Sequence, residues 1–98
     1  MTSNEQLMLI VMEECAELQQ AISKALRFGV DGCNPETPHI TNEYDINLEY
    51  QQLTAVMEML VEKGVITEFD KSTNSMIKEN KKEKVKYYQS ISENLNLI

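Results

Sequence analysis

With 98 residues, 42% of them hydrophobic, and a net charge of −7, the chain has the size and composition of one small globular domain. The acidic balance argues against general nucleic-acid binding, which needs a basic footprint, and no apolar run is long enough to span a bilayer. A chain this short buries only about two-thirds of its unfolded surface, so oligomerisation is expected to complete the core.

The first predicted element is a helix capped by Thr2 or Ser3, with Glu5 or Gln6 as the capping-box partner, running to Leu26 or Phe28 and stopped by Gly29. At about 100° per residue its apolar stripe is Leu7, Ile10, Val11, Leu18, Ala21, Ile22 and Ala25. Glu14 falls near the middle of that stripe and Glu17 on its edge. Burying a carboxylate is costly unless a cation or strong donor compensates it, so glutamates in positions where leucines would pack better point to a site.

Gly29 to Thr41 holds glycine and proline in pairs and predicts an irregular loop, of a length that is more often functional than decorative and able to close over a ligand. Thr41 or Asn42 then starts a second helix that continues to Lys63 and ends at Gly64. Its stripe is Ile46, Tyr50, Leu53, Val56, Met57, Leu60 and Val61; Glu49 lies on the flank, and the ridge beside it carries Asn42, Asp45 and Gln52.

Val65-Ile66-Thr67 reads as a short extended link. A third helix is expected to begin between Asp70 and Ser75 and to run to about Ser92, with Ile77, Val85, Tyr88, Ile91 and Leu95 on one face and lysines around it. That face is thin, which fits a cover or an oligomer arm. The expected class is all-α: a single domain over residues 1–98, with a motif-bearing hairpin (1–64) and a link plus lysine-rich helix (65–98), packed as a helical bundle.

Glu14 and Glu17 stand one helical turn apart, and an antiparallel second helix would bring Glu49 to meet them. Three converging carboxylates repel one another unless a hard cation binds. Magnesium suits oxygen ligands of this kind and leaves positions for water and phosphate; manganese is the alternative. Lys24 and Arg27 follow on the same helix, where they either meet a phosphate or stabilise the helix end through its macrodipole.

Glu13-Glu14-Cys15-Ala16-Glu17 and Glu49-Tyr50-Gln51-Gln52 fit a pattern of E-E-x-x-E followed by E-x-x-D, except at the last position. On these residues the chain resembles the all-α MazG-like nucleoside triphosphate pyrophosphohydrolases, above all the short single-domain versions of bacteriophages. Ser23 to Gly29 looks like the segment that follows the first motif there, Thr41-Asn42 opens the second, and Val56 to Leu60 continues it. The resemblance implies magnesium ligation by Glu14, Glu17 and Glu49, and catalytic support of the site or of the attacking water by Glu13 beside Glu14. It also implies hydrolysis of a (d)NTP to monophosphate and pyrophosphate, in a homodimer or homotetramer. Gln52 stands where the family has Asp; its amide oxygen can ligate magnesium but brings no charge and cannot act as a base. Asp45, one turn before Glu49, is the candidate to supply the missing carboxylate. The competing reading is a catalytically weakened MazG-like protein that binds a nucleotide, an alarmone or a protein partner.

Other residues read more plainly. His39, the sole histidine, falls in a proline-flanked loop and reads as a surface residue. The tyrosines and methionines read as packing, the run from Lys78 to Lys86 as a solvated helix face, and Cys15 and Cys33, which match no zinc or disulfide spacing, as reduced thiols of a cytoplasmic protein.

Overall fold

The computed structural model describes residues 1–98 and contains three helices, α1 (Ser3–Phe28), α2 (Asn42–Glu62) and α3 (Lys71–Asn94), with no β-strand beyond one isolated bridge between Cys33 and Thr41. The class is all-α, as expected. The chain divides into two compact units, Met1–Thr67 with α1 and α2, and Glu68–Ile98 with α3.

Each helix starts on a side-chain cap. Thr2 Oγ1 accepts from the Glu5 N–H at 3.1 Å, Thr41 Oγ1 from the Tyr44 N–H at 3.1 Å, and Asp70 Oδ1 from the Thr73 N–H at 2.7 Å. Such a cap is worth about 1 kcal/mol. The Thr73 backbone N–H and hydroxyl also hold the Asp70 carboxyl below its ordinary range. α2 ends in a Schellman motif: Gly64 takes φ +71°, its N–H donates to Val61 O at 3.0 Å, and the Val65 N–H donates to Leu60 O at 2.9 Å. Val65 and Ile66 therefore fold back onto the helix end, where an extended link was expected.

In the first unit α1 and α2 pack antiparallel. Leu7 and Ile10 in the opening turns of α1 border the same depression as Met59 and Lys63 at the end of α2, while Ala21 and Lys24 late in α1 border Asp45 and Glu49 early in α2. Leu7, Ala21 and Leu60 are the buried core, and Ile10, Val11, Leu18, Ala25, Ile46, Leu53, Val56 and Val61 line the seam half-buried. Ile22, Tyr50 and Met57, assigned to the stripes from sequence, are exposed. A two-helix layer covers only the middle of each stripe, so residues at the stripe edges are left open. Full burial of a leucine stabilises by about 1.5–3 kcal/mol, and a core of three buried apolar residues is thin for a unit of this size.

The link from Gly29 to Thr41 is tied to the start of α2. Asn42, 9% exposed, donates from Nδ2 to Gly29 O at 2.8 Å; its own N–H donates to Gly32 O at 2.9 Å, and the Glu43 N–H donates to Val30 O at 2.9 Å. Asn34 organises the loop's far side, its Oδ1 accepting from the Glu36 N–H at 2.9 Å in an Asx turn. These bonds fix the distance between the end of α1 and the start of α2, and hence the register of the hairpin.

In the second unit α3 is a single helix with no buried residue; Ile77, Val85, Tyr88, Ile91 and Leu95 are all exposed, so the expected packing face has no partner within the unit. Glu79–Lys82 at 3.4 Å and Glu83–Lys86 at 3.9 Å are exposed i,i+3 pairs of small energetic weight.

A Cβ on Gly32 would lie 2.6 Å from Phe28 O and 3.0 Å from Asn42 Nδ2, so the loop closes only around glycine. Gly32→Ala is expected to destabilise the first unit by about 1–3 kcal/mol in urea unfolding. An unchanged midpoint would show that the Asn42 clasp does not set the hairpin.

Candidate functional site

The antiparallel register brings Glu14 and Glu17 of α1 to Glu49 of α2. One carboxylate oxygen from each lies within 4.8 Å of the others. Glu14 and Glu49 are half-buried in the seam and Glu17 is exposed at its rim, as expected for a residue on the stripe edge. Oε2 of Glu14 and Oε2 of Glu49 are both buried and have no hydrogen-bond partner.

Both seam carboxyls are held above the ordinary glutamate value of 4.5. Desolvation is the largest cause in each. For Glu14 the charge of Glu17, a side-chain contact with it and the charge of Glu13 follow; for Glu49 the contact with Glu17 comes next, then the charges of Glu17, Glu14 and Asp45. The chemistry of this donor set fits a hard divalent cation. The ligand atoms are all carboxylate oxygens, they converge, and two of them lack any protein donor.

An open groove of about 330 Å³ runs beside the cluster, lined by Glu17, Gln20, Ala21, Lys24, Asp45 and Glu49. Asp45 is half-buried in it, whereas Gln52, at the position of the incomplete motif, is exposed and does not line it. Glu13 is exposed and acts on the cluster through its charge on Glu14. The two basic residues part company. Lys24 lines the groove; Arg27 does not, its Nε donating to Ser23 O at 3.5 Å and its guanidinium standing 5.3 Å from the Phe28 ring centroid. His39 is exposed and lines no groove at this site.

Sequence reasoning missed Gln20, which sits one turn after Glu17 and was legible from that spacing. The loop from Gly29 to Thr41 was expected to close over a ligand, but nothing in its local pattern marked which of its residues wall a second groove beyond Lys24. Compared with known proteins, the chain matches no family model, no curated protein and no solved structure.

Because the Glu14 and Glu49 carboxyls are raised in the folded chain, it binds their protons more tightly than the unfolded chain does. The resulting stabilisation is fully present below 4.5 and is lost as pH rises through the raised folded values. In chelator-treated protein the melting temperature should therefore fall from that pH toward neutrality, and Glu14→Gln and Glu49→Gln should each flatten the fall and raise the neutral melting point. A profile identical in wild type and both variants would contradict the burial of these carboxylates.

Proposed function

We propose that the protein is a magnesium-dependent nucleoside triphosphate pyrophosphohydrolase of the MazG-like type, converting a (d)NTP and water to the monophosphate and pyrophosphate. The observation that carries this reading is the convergence of Glu14, Glu17 and Glu49 around two buried carboxylate oxygens without donors. On this reading these residues hold Mg²⁺ or Mn²⁺. The ion's contribution when bound is Lewis-acid polarisation of the triphosphate and neutralisation of its charge.

The remaining roles fall to the chain's own groups. Glu13, exposed beside Glu14, accepts a proton from the attacking water. Lys24 binds a phosphate oxygen from the groove wall. Asp45 brings the carboxylate that Gln52 lacks, from two turns earlier on α2. Arg27, turned onto Phe28, takes no part in this reading. On the same reading the work is nucleotide clearance or remodelling in the cytoplasm of a phage-infected host.

An oligomer belongs to the same proposal. Met8, Met12, Ile22 and Leu26 on α1 and Leu48 and Met59 on α2 are exposed, and Leu26 reaches 83%. Helices that leave this much apolar surface open around a thin core are completed by further copies, as dimer or tetramer.

The second reading, a weakened relative that binds a nucleotide, an alarmone or a protein partner, draws on Gln52, which is exposed and carries no charge. The two separate in a pyrophosphate-release assay with the common NTPs and dNTPs. Wild type should release pyrophosphate only with magnesium, and Glu14→Gln should lower the rate by more than about a hundredfold. Asp45→Asn should abolish turnover if that residue replaces the motif Asp, and leave it nearly intact if Gln52 suffices. A silent wild type with an active Gln52→Asp would favour the binding protein. In sedimentation velocity, Met12→Glu and Leu26→Glu should each shift the assembly toward monomer; a wild type that sediments as monomer would refute the oligomer.

A further inference from the structure

Beyond Lys24, on the side away from the carboxylates, lies a second open groove of about 470 Å³, within the usual range for small-molecule sites. Its apolar wall is Phe28, Pro35 and Ile40; its polar wall is Asn34, Thr37 and Asn42. Lys24 and Asp45 line this groove as well as the carboxylate groove, so the two are continuous across them. Lys24 is the one cation lining either groove and forms no ion pair.

The chemistry changes in order along this path. The converging carboxylates suit a cation-bound polyphosphate, and the unpaired ammonium of Lys24 suits one further phosphate oxygen. The last segment offers an aromatic ring, aliphatic surface, the Asn34 amide and the Thr37 hydroxyl beside the Asp45 carboxylate, which suit a sugar and a planar ring. Phe28 is 67% exposed; the Arg27 guanidinium stands over one face of its ring, and the remainder forms an aromatic platform open to solvent. The loop that supplies the opposite wall is held in place by the Asn42 clasp on Gly29 and Gly32, so the groove is built before anything enters it.

We infer that this groove seats the nucleoside half of the nucleotide whose phosphates lie at the carboxylates, with Phe28 as its stacking platform; the inference rests on the pyrophosphohydrolase reading. Discrimination between a nucleotide and a bare polyphosphate then resides in the α1–α2 loop and the last turn of α1, away from the carboxylates.

The test is amide and methyl NMR of the full chain with magnesium, titrated in parallel with non-hydrolysable analogues of the common nucleoside triphosphates and with inorganic triphosphate. Both probes should shift Glu14, Glu17 and Glu49, and only the analogues should shift Cys33, Thr37 and Ile40. Phe28→Ala should weaken analogue binding about tenfold, the scale of one base–aromatic stack, and leave inorganic triphosphate binding unchanged. Ile40→Ala, read the same way, guards against a local defect at the end of α1. Analogues that shift the carboxylates but not the loop, or a Phe28→Ala that weakens both probes equally, would overturn the nucleoside seat while leaving the pyrophosphohydrolase reading intact. Binding of neither probe would overturn both.

Discussion

The first unit depends on a repulsion. Its two helices meet where Glu14 and Glu49 turn carboxylate oxygens into the seam, with no donor to receive them and Glu17 close by. Desolvation and like charge both work against ionisation there, and the raised carboxyls record it. Apolar residues at the same positions would have joined Leu7, Ala21 and Leu60 in a continuous core. A seam that gives up this much cohesion has its stability coupled to whatever neutralises the carboxylates, whether proton or cation.

The arrangement holds because the hairpin is clasped at one end and packed at the other. Asn42 and Gly32 tie the loop to the first turn of α2, and Leu7 and Leu60 close the far end, where α1 begins and α2 finishes. The carboxylates sit between these points, so the register that aligns them is set by groups that take no part in their chemistry. The same clasp shapes the loop wall beyond Lys24, which adjoins the carboxylate groove across Lys24 and Asp45.

The thin core bears on the proposed assembly as well as on stability. Leu26, Met12 and Phe28 stand largely open on α1, and every apolar residue of α3 is exposed. Charged, amide and hydroxyl residues fill the rest of α3, and its ion pairs are solvent-screened, so their contribution is small. Apolar surface of this extent is the physical argument for further copies of the chain.

Much of this was legible from local pattern. Helix limits follow from caps and stop residues that act within a few positions: Thr2, Thr41 and Asp70 at the starts, and Gly29 and Gly64 at the first two ends. The placement of Glu14 inside the apolar stripe and of Glu17 on its edge is a consequence of helical periodicity alone. What periodicity cannot supply is the partner of each face. Ile22, Tyr50 and Met57 share the stripes yet remain open, because a single neighbouring helix covers only part of the arc. Nor could spacing separate Lys24 from Arg27, which lie one turn apart; the groove beside α2 takes the first, and the Phe28 ring holds the second. Asp45 rather than Gln52 lines the carboxylate groove for a similar reason, since position along the antiparallel partner decides it. The sequence by itself determined the helices and the inward set of the acids, through interactions spanning a turn or two of chain. Only the tertiary structure decided which acids meet, which cation joins them and which loop walls lie alongside, because those depend on contacts between residues far apart in the chain.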